Sequence, residues 1–235
     1  MRLDQYLVER AMAPTRSKAR EMIKSGDVRV GGRVVQKPAF AVSGQPVEVS
    51  PRRRYVSRAA LKLKGFLPHL PFSAAGMTVL DIGASTGGFC EVLLEAGAAS
   101  VDAVDVGKDQ LHPTLRDDAR VRSFEQTDIR RFESDRRYEL VTSDVSFISL
   151  HHILDDVDRL AAHWIVLLFK PQFEVGRDAK RDGRGVVTDS EAIVKAQAAF
   201  EDACAARGWS LVVRRRAEIS GKEGNIEECY CFEKH

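Results

Sequence analysis

The stretch GMTVLDIGASTGGF, residues 76–89, limits the fold of this chain more than any other. A short apolar strand, Thr78 to Ile82, runs into a turn holding Gly83, Gly87 and Gly88, and FCEVLLEAGA then reads as a helix rich in Leu, Glu and Ala. A glycine-rich strand-to-helix turn lets a ligand approach the backbone closely. The dinucleotide fingerprint GxGxxG is not what this turn spells. It reads DxGxxxGGF, with Asp81 still on the strand.

Further strands point the same way. SVDAVDVG ends at Asp105, about twenty residues after the turn, where nucleotide-binding sheets place a carboxylate against ribose hydroxyls. QTDIRRF puts Asp128 just after a third strand, and YELVTSDVSF exposes Asp144 at the carboxyl end of a fourth. The fifth, WIVLLFKPQFE, drives six apolar residues straight into Lys170. Lysine is seldom buried, so either the strand ends there in water or Lys170 is aimed into a site. In an open parallel sheet the carboxyl ends of the strands border the ligand crevice, and Lys170 and Asp144 both fall on that edge. A helix is expected from Asp189 and Ser190 to Gly208, then WSLVVRRRAEI, SGKEGN and a last strand, IEECYCFEK, opened by Glu227 with Glu228 as its register rival. Cys229 and Cys231 read as two residues on one face of that strand.

Upstream, Val56, Ala59, Ala60, Leu63, Phe66 and Leu67 form a helical apolar stripe, and Lys62 falls on its border, where a lysine ordinarily snorkels to solvent. The segment before it is organised differently. RLDQYLVER places Leu3, Tyr6, Leu7 and Ala11 at helical spacing; TRSKAREMIKSG reads as a second helix capped by Thr15 and stopped by Gly26. Along that helix Arg16, Arg20 and Lys24 recur every four residues, opposite Ala19, Met22 and Ile23. DVRVGGRVV then alternates valines around Gly31–Gly32, a hairpin pattern.

Charge divides the chain at the same place. Residues 1–58 carry 13 Lys and Arg against 5 Asp and Glu, while the remainder holds 23 against 29, so the overall +2 conceals a basic head and an acidic body. We expect a small domain over residues 1–50, a basic linker over 51–58 and a larger α/β domain over 59–235, with the head facing an anionic partner. At 235 residues, 44% apolar and 30% charged, the composition is that of a soluble globular protein. Apolar runs of about six residues fall far short of the roughly 20 that span a bilayer, and MRLDQYLVER has no secretory apolar core, so a cytoplasmic location without membrane association is expected. Four cysteines without metal-ligand spacing read as reduced thiols, and no metal is expected.

The head, RLDxxL followed by TRSKAREMIKSGDVRVGGRVV, resembles the small RNA-binding domain shared by a ribosomal small-subunit protein, pseudouridine synthases and tyrosyl-tRNA synthetases. That resemblance implies RNA contacts from Arg2, Arg16, Lys18, Arg20, Lys24 and Arg29, with Arg52, Arg53, Arg54 and Arg58 of the linker as a further basic patch. DxGxxxGGF resembles the first motif of class I S-adenosylmethionine-dependent methyltransferases, a Rossmann-like fold in which Asp128 would hold the adenine. VSRAALKL, DIGASTGGF, AVDVG, SDVSFISL, KPQFE, RGVV and GNIE, in this order, resemble the TlyA family of ribosomal RNA 2′-O-methyltransferases, whose catalytic domain is similar to FtsJ. The resemblance implies a catalytic set of Lys62, Asp144, Lys170 and Glu227. It implies an S-adenosyl-L-methionine site formed by Asp81, Gly83, Ala84, Ser85, Gly87, Gly88, Phe89, Asp105 and Asp128. It also implies cytidine ribose in ribosomal RNA or ribosomal subunits as substrate. Ala59–Ala60 departs from the two glycines that many members carry there. A ribose hydroxyl is a poor nucleophile, and Lys170 is open to two roles, base or oxygen-orienting group, with Lys62 and Asp144 as positioning groups.

Rival activities lack their residues. A carbon-5 pyrimidine methyltransferase needs a cysteine near the fourth-strand motif, and none is there. A base-amine methyltransferase would show Asn/Asp-Pro-Pro-aromatic in place of DVSF. The haemolysin label borne by relatives implies membrane lysis, for which no membrane-length segment or aromatic amphipathic helix is present. A non-catalytic RNA-binding or ribosome-assembly factor is the alternative to an enzyme. The sequence carries no indication of oligomeric state.

Overall fold

Leu3 and Leu7 bury completely on one side of α1 (Leu3–Glu9) and pack against Ala19 and Ile23 of α2 (Arg16–Lys24), the pairing that their helical spacing predicts. The computed structural model describes residues 1–49 and 55–235. They fall into two compact units, one before Tyr55 and one spanning Tyr55–His235. In the first, the Thr15 hydroxyl accepts the Lys18 amide at 3.2 Å and caps α2, and Gly26 takes the chain out of it at φ +78°. α1 is shorter than its apolar pattern. Ala11 is exposed in the left-handed region at φ +54°, because the Ala11 and Met12 amides donate back to Val8 and Leu7 carbonyls and close the helix with a Schellman motif. β1 (Val28–Val30) and β2 (Arg33–Val34) form the expected hairpin around Gly31 and Gly32, both with positive φ. β3 (Val47–Val49), too short to stand out in the sequence, pairs with the other side of β1.

The second unit runs α3 (Ala59–Phe66), β4 (Thr78–Ile82), α4 (Gly88–Glu95), β5 (Ser100–Val104), α5 (Pro113–Arg116), β6 (Val121–Phe124), β7 (Tyr138–Ser143), α6 (Leu154–Leu160), β8 (Ala161–Phe169), α7 (Pro171–Glu174), α8 (Ser190–Ala205), β9 (Trp209–Arg216) and β10 (Glu228–Lys234). Its seven strands are ordered β6-β5-β4-β7-β8-β10-β9. β4 to β8 pair in parallel, while β10 inserts antiparallel between β8 and β9.

The side-chain period of two assigns each strand to two cores. Val166 and Leu168 of β8 and Cys229 and Cys231 of β10 enter the core that contains α3 and α4; Ile165, Leu167, Phe169, Tyr230 and Phe232 enter the opposite one. The chain leaves β4 for β5 on one side and reaches β7 on the other, so the crevice at the carboxyl end of β4 is a topological switch point. α8 begins at its expected cap, with the Asp189 carboxylate accepting the Ala192 amide at 3.0 Å. It ends at Ala205, and Gly208, at φ +76°, turns the chain into β9.

Candidate active site

The turn after β4 departs from ordinary backbone at three points: Gly83 at φ +77°, Ser85 at φ +47° and Gly87 at φ +93°. A side chain on Gly83 would come within 3.0 Å of Val145 Cγ1, so the turn is pressed against the segment that follows β7. Gly88 is needed for a second close approach. A Cβ there would overlap Ser57 Oγ and lie 2.9 Å from the Ala60 amide nitrogen, and its absence lets α3 lie directly on the start of α4.

Two hollows open over this turn. One, of about 430 Å³, is walled by Gly83, Ser85, Asp105, Asp128, Asp144 and Ser146 among others. The other, of about 160 Å³, is walled by Ala84, Thr86, Gly88, Phe89, Asp144 and Ser146, with Ser57 at its rim. Asp105 follows β5 and accepts the Ser85 amide at 2.8 Å through Oδ2 and the Gly107 amide at 2.7 Å through Oδ1. Each of its oxygens retains a further lone pair, and Asp105 lines the larger hollow. Asp128 caps the turn after β6, accepts from Arg130 Nε at 3.0 Å, and is held down to about 2, first by that guanidinium. Asp81 is different. It is fully buried beneath the turn, accepting from Thr142 Oγ1 at 2.8 Å and Cys90 Sγ at 3.0 Å, and burial pushes its carboxyl up to about 6.

Lys62, Asp144, Lys170 and Glu227 come together as two ion pairs. Lys170 Nζ lies 2.5 Å from Asp144 Oδ1, and Lys62 Nζ lies 2.5 Å from Glu227 Oε2. Lys170 is 5% exposed, Lys62 8% and Glu227 3%, so neither lysine escapes to water. Lys170 therefore does not end its strand in water, and Lys62 does not snorkel. The Cys229 thiol senses both pairs; burial, then the Asp144 and Glu227 charges, push it up to about 12, against Lys62. Glu228 turns the other way to pair with Arg214 at 2.5 Å, which fixes Glu227 as the residue facing Lys62.

Two partners of this set, and one residue that anchors its loop, escaped the sequence reading. Ser146 Oγ accepts from Lys170 Nζ at 2.8 Å, and Gln172 Nε2 donates to Glu227 Oε1 at 3.2 Å. Asn225 Oδ1 accepts the Val187 amide at 2.9 Å and anchors the GNIE loop to the RGVV loop. Each sits two positions from a charged member of the set, in SDVS, KPQ and NIE, a spacing that was available in the sequence.

In the first unit, Arg2, Arg16 and Arg20 converge on Asp4, at 3.0, 3.3 and 3.0 Å. Asp4 exposes nothing, and its carboxyl is held well below the usual range, first by the hydrogen bond from Arg2. The three guanidinium groups stay about half exposed, and Lys18 pairs with Glu21 at 3.0 Å. Lys24 and Arg29 face solvent. Arg58 stands at the start of α3 and donates to the Ser220 carbonyl at 3.2 Å; Arg52, Arg53 and Arg54 lie outside the described residues. Among the described residues no helix is long and apolar enough to cross a membrane.

Known proteins bear on this arrangement. Residues 55–234 match the FtsJ-like methyltransferase family, and residues 1–45 match the S4 domain. The chain is similar to the 23S rRNA (cytidine-2′-O)-methyltransferase TlyA of Campylobacter jejuni, at 42% identity over 255 residues and the full length of both chains. The 16S/23S rRNA (cytidine-2′-O)-methyltransferase TlyA of Mycobacterium tuberculosis is 42% identical over 234 residues, 96% of this chain and 87% of that one. A solved Streptococcus thermophilus protein described as a hemolysin superposes with a TM-score of 0.73 at 36% identity, covering 100% of this chain and 88% of that one.

Proposed function

The chain belongs to the TlyA family of ribosomal RNA (cytidine-2′-O)-methyltransferases, an FtsJ-like catalytic domain behind an S4 domain, and from that premise we propose how its residues do the work. The reaction moves a methyl group to the ribose 2′-hydroxyl of cytidine in ribosomal RNA. The observation that carries our reading is the pair of buried lysine–carboxylate bridges on the sheet edge beside a glycine-floored hollow.

The hollow suits S-adenosyl-L-methionine. Its volume of about 430 Å³ is in the range of small-molecule sites, and the absence of a side chain on Gly83 leaves a cradle there. Asp105 presents free lone pairs to two ribose hydroxyls, Asp128 offers an acceptor to an exocyclic amine, and the turn from Gly83 to Phe89, with Ala84, Ser85, Gly87 and Gly88, lies against the remainder. Asp81, which lines the smaller hollow beneath this turn, supports the turn and faces the same ligand from below. When bound, the cofactor supplies an electrophilic methyl on its sulfonium.

Lys170 meets the 2′-oxygen of the acceptor. Its Nζ donates to Ser146 Oγ at 2.8 Å and to the Asp144 carbonyl at 3.3 Å and pairs with Asp144 Oδ1 at 2.5 Å, an arrangement built around an ammonium group. We therefore assign Lys170 the orienting role, with the hydroxyl oxygen replacing its weakest contact. Lys62, fixed by Glu227, brings a second positive charge to oppose charge developing on the oxygen during transfer. Asp144 and Glu227 hold the two ammonium groups in place. The S4 unit, acting in the cytoplasm, delivers ribosomal RNA through Lys18, Lys24 and Arg29 together with the arginines around Asp4.

The test is transfer of labelled methyl from S-adenosylmethionine by the purified protein to ribosomal RNA from cells lacking the gene, with the modified ribose mapped. Label at a cytidine 2′-oxygen is expected. Label on a base, or none with cofactor bound, would overturn the reading.

A further inference from the structure

The strand order turns the carboxyl edge of the sheet into a linear sequence of tasks. Asp105, Gly83 and Asp144 follow β5, β4 and β7; Lys170 follows β8 and Glu227 precedes β10; the last place belongs to β9. β9 ends at that edge in Arg215 and Arg216. Arg216 pairs with Glu228, which pairs with Phe169, the residue before Lys170, and the Ala217 amide donates to the Glu227 carbonyl at 2.9 Å. Two strand spacings, about 10 Å, separate β9 from β8.

These two arginines differ from their neighbour. Arg214 is bound by Glu201 at 3.0 Å and Glu228 at 2.5 Å, whereas among the described residues neither Arg215 nor Arg216 enters an ion pair, and both are exposed. They line a hollow of about 60 Å³ with Lys62, His69, Glu218 and Cys229. The hollow thus gathers three cationic side chains, Lys62, Arg215 and Arg216, against one carboxylate, Glu218. Arg215 shares the face of its partner Cys229 and Arg216 that of Glu228, so the two side chains straddle the end of the sheet. The hollow is far too small for a nucleobase, since small-molecule sites begin near 300 Å³. A phosphate group is what such a cationic notch can seat.

We propose that Arg215 and Arg216 bind backbone phosphate of the ribosomal RNA strand next to the target ribose, so that the strand crosses the sheet edge from β9 toward β7. The assignment rests on the methyltransferase reading and adds to it the path of the substrate. Unpaired charge on an edge strand also discourages edge-to-edge pairing, a role that either sign of charge can fill. Phosphate binding requires the positive one.

That difference defines the experiment. The double variants Arg215→Gln with Arg216→Gln, and Arg215→Glu with Arg216→Glu, are compared with wild type for binding to 23S ribosomal RNA transcript and to large ribosomal subunits over a range of salt. The Gln variant is expected to lower the slope of log affinity against log salt by about 1.4 to 1.8 on both, the loss of two phosphate contacts. The Glu variant should weaken binding further, KM for RNA should rise more than kcat falls, and S-adenosylmethionine affinity and thermal unfolding should stay as in wild type. An unchanged slope would overturn the proposal. A loss seen with subunits but not with naked transcript would also overturn it, in favour of a ribosomal protein against this edge. Absence of methyl transfer by wild type would count against the function itself, and the binding slopes remain readable in that event.

Discussion

Lys170 and Asp81 are both charged groups taken out of water, and they resolve that situation in opposite ways. Lys170 donates two hydrogen bonds and has the Asp144 carboxylate beside it, so its charge is compensated where it stands. Lys170→Ala should therefore retain cofactor and RNA binding and lose methyl transfer, by roughly 10²- to 10³-fold, the pattern of a contact made in the transition state. Under the orienting role Lys170→Arg recovers part of that loss, because guanidinium still donates; equal failure of Arg and Ala in single-turnover assays would mean that the side chain must take a proton. Asp81 has the Thr142 hydroxyl and the Cys90 thiol and backbone but no cation beside it, and burial raises it from the ordinary 3.8 to about 6. The sign comes from proton counting. Between pH 4 and 6 the folded state holds a proton that the unfolded state has lost, so stability declines through that window as pH rises. Asp81→Asn should abolish this decline, gaining on wild type by about 3 kcal/mol between pH 4 and pH 7 in denaturant titrations. A pH-independent difference between the two proteins would place the carboxylate in a wetter setting than the geometry indicates.

At the scale of elements, the site is held by how closely α3 lies on α4. Gly88→Ala would set a methyl 2.9 Å from the Ala60 backbone nitrogen, and backbone cannot yield as a side-chain tip can. We expect a loss of about 1 to 3 kcal/mol in stability, the usual size for overpacking, together with a fall in activity from a displaced Lys62. Gly32→Ala makes a useful contrast, since a Cβ there meets nothing within 4 Å and only its positive φ is strained; it should leave methyl transfer untouched. This packing also shows where sequence reading succeeds. The β4 bounds, the turn and the α4 start were legible because glycine spacing and strand-to-helix periodicity are local properties. Lys170 was legible because a run of apolar residues marks a buried strand and so places the residue at its carboxyl end. Lys62 was only half legible. Its place on the border of the α3 stripe pointed toward solvent, and the group that decides for burial is Glu227, 165 residues away along the chain. Asp102 was missed outright: a carboxylate inside β5 that burial would raise is instead lowered by Arg122, Tyr138 and Arg136, a non-local cluster with no signature of its own.

Over the whole molecule, the division of charge was legible in composition, yet its meaning changes with Asp4. The sequence offers Arg2, Arg16 and Arg20 as three free cations; folding sets a buried carboxylate among them, which no periodicity reveals because a residue in the first turn of a helix is ordinarily exposed. Those arginines hold the first unit together as well as facing outward, and replacing them would confuse RNA binding with stability. Lys18, Lys24 and Arg29 are free of that double duty. All three are exposed, Lys18 meets only the exposed Glu21 through a pair of small worth, and Arg29 touches a turn carbonyl. Outside residues 1–58 the chain carries 23 basic against 29 acidic residues, so its net charge does not draw RNA at long range, and long-range attraction comes from the head while Arg215 and Arg216 act at contact. In the full-length protein, Lys18→Gln, Lys24→Gln and Arg29→Gln together should reduce the salt slope of ribosomal RNA binding by about 2 to 3, at roughly 0.7 to 0.9 for each phosphate no longer neutralised. S-adenosylmethionine affinity should not move, since the residues proposed to hold it all lie in the second unit. Binding measured by filter retention from 50 to about 300 mM salt separates the outcomes: a parallel line displaced downward would mean that these residues shape the head without touching phosphate, and an unmoved line would assign RNA recruitment to another surface.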